Sequence, residues 1–379
     1  MKIVIVCDVL GKKNNGTTIA AYNLIDYLKS KGHDVKVVCC DEDKKNQEDF
    51  IILEKLNLGP LNKIIERNGV SLPKTDRNAI LDAFYECDIV HIMLPFPMGV
   101  TACKIAKKLG KPVTAGFHCQ AELISSHLGL MNCNVLNKNI YKQFYKSIYQ
   151  FCDAIHYPTQ FICDVFENIV GKTNHYIISN GVNPDVKSIE CQKPEEFKDK
   201  FLILTTGRLC KEKSHMVLLK AIAHSKYNDK IQLIMAGQGP LQYKLEKYAL
   251  RKIKNRPIIK YFTREEMIKL LNYCDLYVHP AEVELEGIAC LEAVVCGLVP
   301  IVSDSIRSAT KNFAITPNNI FKCNNYHDLS DKIDYWIEYP KEKEELKKQY
   351  LQFGNRFNLE GCMDQMERMF LETIAKREE

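Results

Sequence analysis

Short, nearly continuous apolar runs alternate with amphipathic stretches through the first half of the chain. Lys2 to Val6 leads, with Ile3-Val4-Ile5-Val6 as its core, and an amphipathic stretch over residues 18–31 follows. Further apolar runs lie at 34–39, 89–93 and 112–116. Runs this short and this apolar read as strands buried on both faces, and their alternation with helical periodicity predicts a parallel sheet covered by helices. The rhythm restarts at 201–205 and continues through 232–235, 276–278 and 299–302. Two restarts predict two doubly wound α/β domains.

Residues 183–200 carry two prolines, many charges and few apolar side chains, the composition of a linker or hinge. The expected division is therefore 1–182, then 183–354 with 183–200 as the connection, then 355–379. That tail places Met363, Met366, Met369, Phe370 and Ile374 at helical spacing, so it is expected to be a helix packing back on the body.

Length and composition agree with this division. At 379 residues the chain exceeds one ordinary core, and 46% apolar with 26% charged side chains is a globular composition. The formal charge of +5 favours anionic partners but is too diffuse for nucleic-acid binding. Sixteen cysteines follow no secretory pattern and form no paired C-x-x-C sets, so they are expected to be reduced, buried small hydrophobes of a cytoplasmic protein. No apolar stretch approaches the ~20 residues that span a bilayer. Any membrane contact is expected to be peripheral, at the inner face.

Two patterns mimic metal sites. Cys87-Asp88-Ile89-Val90-His91, Cys152-Asp153-Ala154-Ile155-His156 and Cys274-Asp275-Leu276-Tyr277-Val278-His279 each contain ligand-type residues. Each also sits where a helical pattern ends and a strand begins, so the repeat is read as one helix-to-strand joint used three times. Asp41-Glu42-Asp43 spells D-x-D, but among mixed charges after a strand it reads as a solvated loop.

The candidate chemistry lies after the strands, where open α/β sheets bind ligands. The first strand runs through Cys7-Asp8 into a loop and helix opening at Gly16-Thr17-Thr18, a place where backbone amides meet anions. The strand at 113–117 ends in His118. The strand at 201–205 runs into Thr206-Gly207-Arg208, with Lys213 five residues on, a fork and a point charge suited to a diphosphate. A second glycine turn, Ala236-Gly237-Gln238-Gly239-Pro240, follows the next strand. Glu284 and Glu292 flank Gly287, Ile288 and Ala289, whose amides would open a helix toward a phosphate while the two carboxylates address hydroxyls.

Taken in order with Ile178-Ser179-Asn180-Gly181-Val182, these motifs make the chain resemble glycosyltransferase family 4 over nearly its whole length. The resemblance implies the GT-B fold, two Rossmann-like domains facing a central cleft, and retaining transfer of a sugar from a nucleotide-sugar donor without metal or cofactor. It implies that Arg208 and Lys213 bind the donor diphosphate, Glu292 the ribose and Glu284 the sugar, with His118 facing the sugar from the other domain. Gly16 is implied near the phosphate and acceptor side, and Phe262-Thr263 near the base. Family members commonly read Glu-Gly-Phe-Gly where this chain reads Glu284-Leu285-Glu286-Gly287, and Glu282 and Glu286 add acid there.

The expected reaction moves a hexose, from a UDP-sugar, to a membrane lipid such as diacylglycerol or to a polyprenyl-linked glycan. Residues 136–151 place Lys138, Lys142 and Lys146 on one helical stripe beside Tyr141, Tyr145 and Tyr149, a pattern that suits an anionic bilayer surface or a helix packed on its own domain. A soluble glycan or protein acceptor is the alternative, and a non-catalytic nucleotide-sugar-binding protein is the rival of another class. Phosphorylase-like and epimerase-like enzymes share the architecture, but the first needs a lysine-linked cofactor and a longer chain, and the second lacks this glutamate arrangement.

Overall fold

The computed structural model describes residues 1–8, 10–11, 16–57, 59 and 72–378. The chain forms two compact units, one of Met1–Gly181 with Leu359–Glu379 and one of Val182–Asn358. The first holds seven strands: β1 (Lys2–Val6), β2 (Asp34–Cys39), β3 (Phe50–Ile52), β4 (Ile89–Ile92), β5 (Val113–Gly116), β6 (Ala154–Tyr157) and β7 (His175–Ile177). Their order is β3-β2-β1-β4-β5-β6-β7, with every pair parallel. The apolar runs of β1 and β4 are buried along their length, as helices on both faces require. The order reverses between β1 and β4, which makes the carboxyl ends of these strands the switch point of this sheet.

The second unit repeats the plan with β8 (Phe201–Thr206), β9 (Ile231–Ala236), β10 (Ile258–Lys260), β11 (Leu276–His279), β12 (Pro300–Ser303) and β13 (Ile320–Phe321). Their order is β10-β9-β8-β11-β12-β13, and the switch point falls between β8 and β11. Residues 183–200 run along this unit: Val186 is buried in its core, Asp185 pairs with Arg264, and Lys193 reaches Asp275 at 2.6 Å. The tail helix Leu359–Glu378 returns to the first unit, where Met363, Met366, Met369 and Phe370 are buried. Its Glu367 accepts from His33 at 2.7 Å and its Asp364 from Tyr27.

The repeated Cys-Asp segments have one structural meaning. Asp88, Asp153 and Asp275 each accept, at 2.7 Å, the backbone N–H at the start of a neighbouring strand, from Lys2, Val113 and Leu202. Each aspartate's own N–H donates to the carbonyl of that same residue, at 2.8, 2.7 and 2.9 Å. The carboxylate thus supplies an acceptor for a donor at the start of a strand. All sixteen cysteines are free thiols, and most are buried.

Of the two readings of residues 136–151, the helix packed on its own domain is the one observed. The helix sought over 136–151 runs Asn134–Ser147, and its tyrosines do not form an exposed stripe beside the lysines. Tyr141 and Tyr149 are buried in an aromatic cluster, with Tyr149 at 5.1 Å from Phe117 and 5.3 Å from Phe166. Tyr141 also donates to Glu122 at 2.6 Å. A tyrosine buries a large apolar ring while its hydroxyl finds a partner, which here favours the core over the surface. Lys138, Lys142 and Lys146 are exposed.

Replacing Asp275 by alanine leaves the Leu202 N–H without its acceptor and should cost the second unit about 1–3 kcal/mol in urea denaturation. Asp275→Asn keeps an acceptor oxygen and should lose clearly less; equal losses would point to the Lys193 pair as the only contribution. In the first unit, burial lowers the His91 ring to about 3 and the His156 ring to about 4, and pulls His118 well down. Unfolded histidines take protons near about 6.5, so stability from these rings is complete above that pH and is lost as pH falls. Asp8, which burial pushes up to about 7, works in the opposite direction, but three rings oppose one carboxyl. Hydrogen exchange of the first sheet should therefore show falling stability from pH 6.5 to 4, with a shallower slope in His156→Gln.

Candidate active site

The second switch point gathers most of the chemistry. After β8 the chain turns at Gly207, makes the tight turn Lys211–Lys213, and enters the helix His215–His224. The turn after β9 lies directly beneath it: a Cβ on Gly237 would stand 1.9 Å from the Gly207 carbonyl oxygen. Gly237 is thus required by backbone packing, and Leu209 N–H donates to the Gln238 carbonyl at 3.0 Å to lock the two turns together. Its part in any donor contact is to set the height of the Gly207-Arg208 loop.

Across the switch point, β11 ends at His279 and leads through Glu282 and Glu284 to the helix Ile288–Val295. Gly287 caps that helix with φ 86°, and a Cβ there would meet Thr310 Cγ2 at 2.4 Å. Both the left-handed backbone and the close neighbour demand glycine. The helix's first amides, those of Ile288 and Ala289, have no acceptor within the helix by virtue of their position. Glu284 itself is fixed by its backbone, which donates to the Arg307 carbonyl at 3.2 Å and accepts from Ala309 N–H at 2.9 Å.

These two loops meet in one ion pair. The Lys213 ammonium donates to Glu284 Oε1, and His279 Nε2 lies 2.9 Å from the same oxygen. His279 Nδ1 is 3.3 Å from the Tyr277 hydroxyl, which is 2.6 Å from the Thr206 hydroxyl, so a polar chain runs from β8 through β11 to Lys213. Burial would raise the Glu284 carboxyl, but Lys213 and His279 outweigh it and hold the group down at about 2. Burial likewise opposes the Lys213 charge, and Glu284 keeps its pKa above the ordinary lysine value. Arg208 is half-buried and gives Nη2 to Glu212 at 3.0 Å. The site therefore carries two cations, each seated on a carboxylate.

Glu292 points to a different partner. Its Oε1 accepts from Arg264 at 2.6 Å, while the rest of that guanidinium grips Asp185 at 2.8 and 3.0 Å. Burial raises the Glu292 carboxyl, against the pull of Arg264. Thr263 caps the helix Arg264–Tyr273, accepting from Glu266 N–H, so its hydroxyl is engaged in the fold. Phe262 beside it is half-buried, with the Lys260 ammonium 4.5 Å from its ring centre. Of the extra acids, Glu282 pairs with Arg307 at 2.9 Å, and Glu286 is buried.

Gly16 and His118 belong to the first unit. Gly16 opens the helix Gly16–Ser30, and Thr17 Oγ1 reaches the His118 carbonyl at 3.4 Å. Val9 and Lys12 to Asn15 of the preceding loop lie outside the described residues. The His118 ring folds back over Gly116 and meets His156 edge-on at 5.4 Å. Burial, then the neighbouring rings of His156 and His91, keep it neutral.

Sequence reasoning missed His279, Arg264 and Asp185. In two copies of the Cys-Asp pattern the histidine lies four residues after the cysteine, but in the third it lies five after and ends its strand. That extra residue was the available signal. Arg264 left none, because its partners are 28 and 79 residues away. The D-x-D segment is a half-exposed turn around Glu42–Lys44, and among the described residues only Cys163, Glu167 and His175 bring three metal-type donors together.

Comparison with known proteins identifies the family. Residues 14–186 match the family described as Glycosyltransferase Family 4, and residues 186–352 match Glycosyl transferases group 1. The chain is 22% identical to a GDP-mannose-dependent alpha-mannosyltransferase of Corynebacterium glutamicum over 79% of this chain and 72% of that one. It is also 22% identical to alpha-monoglucosyldiacylglycerol synthase of Streptococcus pneumoniae, over 80% and 71%. Among solved structures, HepE of Anabaena with UDP and glucose superposes with a TM-score of 0.75 at 15% identity, covering 98% of this chain and all of that one. Matched across residues 14–352 by these two models, the chain belongs to glycosyltransferase family 4 and is a glycosyltransferase of the GT-B fold.

Proposed function

We propose that this enzyme transfers a hexose from a UDP-sugar, with retention of configuration and without a metal, to a membrane lipid of the diacylglycerol type. The observation that carries the reading is the Lys213–Glu284–His279 group with Arg208 beside it. A diphosphate entering there would replace carboxylates as the partner of two fixed cations. The charge that grows on the leaving nucleoside diphosphate then meets positive groups already in place, a preorganised stabilisation that replaces a divalent ion. Glu284, kept ionised by its partners, is positioned to accept from sugar hydroxyls, and the Ile288 and Ala289 amides to donate to phosphate oxygens. Glu292 would take ribose hydroxyls while Arg264 retains Asp185.

Retention would follow same-face attack, with the departing phosphate oxygen taking the acceptor's proton. The glucolipid-forming relative supports glucose, a sugar chiefly carried by UDP, while the mannosyltransferase relative makes GDP-mannose the competing donor.

A lipid acceptor is supported by the surface of the first unit. No described helix is long and apolar enough to cross a membrane. Lys138, Lys142 and Lys146 are nevertheless exposed on the helix Asn134–Ser147, and an open groove of about 650 Å³ beside it is lined by Pro95, Pro97, Val100, Phe144 and Phe151 with Lys104 and Lys146. Apolar floor with basic side chains suits an anionic lipid surface, at about 1 kcal/mol per lysine. The expected location is the cytoplasmic face of a membrane.

The test is product formation in EDTA from UDP-glucose, UDP-galactose, UDP-N-acetylglucosamine and GDP-mannose separately, with and without anionic vesicles containing diacylglycerol. One UDP-hexose should be consumed in a vesicle-dependent way, and Lys213→Ala should lower turnover about 10²–10³-fold. Lys142→Glu with Lys146→Glu should weaken vesicle binding about tenfold or more and leave the melting temperature unchanged. Turnover without vesicle dependence would move the acceptor to soluble glycans or proteins. Donor binding without any turnover would favour a non-catalytic nucleotide-sugar-binding protein, and a strict need for added divalent metal would overturn the metal-free mechanism.

A further inference from the structure

The helix Gln160–Val170 and strand β7 meet at a cluster that the transfer chemistry does not use. Cys163 and Glu167 lie four residues apart on one face of the helix, and His175 opens β7. One donor atom from each lies within 4.8 Å of the other two. Cys163 and Glu167 are buried, while His175 is half-exposed.

Part of this arrangement has an ordinary structural role. Glu167 Oε1 accepts from Thr173 N–H at 3.0 Å and from the Thr173 hydroxyl at 2.8 Å, and Lys172 reaches Oε2 at 2.8 Å. These bonds fasten the loop 171–174 to the helix. His175 Nδ1 joins the fastening, 3.1 Å from the Thr173 carbonyl, but the Cys163 thiol is not needed for that purpose, and both converge on the same carboxylate, with His175 Nδ1 at 2.8 Å from Glu167 Oε1.

We propose that Cys163, Glu167 and His175 form a three-ligand site for a divalent metal of the zinc class, separate from the sugar-transfer site. Sulfur and imidazole donors select Zn²⁺ or Co²⁺ over Mg²⁺ and Ca²⁺, which prefer all-oxygen shells. Tetrahedral zinc holds such atoms about 3.5 Å apart, so small side-chain rotations suffice. On binding, the Cys163 thiol gives its proton to solvent and a sulfur–metal bond forms, His175 uses a ring lone pair, and Lys172 withdraws into water. One thiolate and one carboxylate then balance the ion's two charges. The fourth position falls to solvent on the side where the Lys172 side chain is 89% exposed.

The metal would pin β7 to the helix. β7 is an edge strand of the first sheet, and the chain leaves it through Ser179 to Gly181, the last residues before the second unit. A ligand that binds only the folded form raises stability by mass action.

The experiment is titration of chelator-stripped, reduced full-length protein with Co²⁺, read by its tetrahedral visible bands and thiolate charge-transfer band, followed by Zn²⁺ displacement. One Co²⁺ per chain should bind with a thiolate band, and saturating Zn²⁺ should raise the melting temperature by about 5 °C or more. Cys163→Ala should abolish the band, and His175→Gln should weaken binding at least about tenfold. Both variants are first shown to melt like the parent in EDTA; if Cys163→Ala does not, Cys163→Ser takes its place. A thiolate band that survives in the Cys163 variant would assign the metal to another of the sixteen cysteines, and no binding at micromolar metal would leave the cluster as a helix-to-strand clasp. Either result overturns the proposal.

Discussion

Lys213 held against Glu284 and His279 is the interaction around which the second unit is organised. The pair spans the place where its strand order reverses, so the loop after β8 and the loop after β11 are fixed to each other by charge. Desolvating both partners costs several kcal/mol per ion, and only good geometry with further hydrogen bonds recovers it. Here His279, Tyr277 and Thr206 supply those bonds and carry the anchorage down into the sheet. A cation kept charged in a half-buried place, on a partner that a stronger anion can replace, is a preorganised site for phosphate chemistry.

The same economy appears in how the sheets are seated. Three aspartates at helix-to-strand joints each satisfy an amide at the start of the adjacent strand, and two of them also hold a lysine, Lys107 on Asp153 and Lys193 on Asp275. Because their bases are fixed in this way, the carboxyl ends of β1, β4, β8 and β11 can carry irregular loops. Glycine is spent where backbone must touch backbone, as Gly237 does under Gly207, or where a helix must start from a left-handed residue, as at Gly287.

Much of this was legible in the chain itself. Long buried parallel strands announce themselves as apolar runs, so β1, β2, β8, β9, β11 and β12 were expected within a residue or two. The edge strands β3, β7, β10 and β13 were not, because two or three residues with one open side leave no run to read. The repeated Cys-Asp segments were recognisable as joints, though the bonds behind them were not. At the site, residues close in sequence to a glycine turn or a strand end were found, whereas Arg264 and Asp185 depend on tertiary pairing. The tyrosines of 141–149 left two readings open for a related reason: helical spacing shows which residues share a face, and it leaves open whether that face meets water or Phe117.

The most direct test of the central claim is calorimetric binding, in EDTA, of UDP against uridine and of GDP against guanosine. If Arg208 and Lys213 are the seat of a diphosphate, one nucleoside diphosphate should bind at least about 100-fold more tightly than its nucleoside, close to 3 kcal/mol, and neutralising both residues should remove that margin. Nucleoside and diphosphate binding alike, or a margin untouched by the double substitution, would contradict the assignment of this ion-paired loop as the phosphate site.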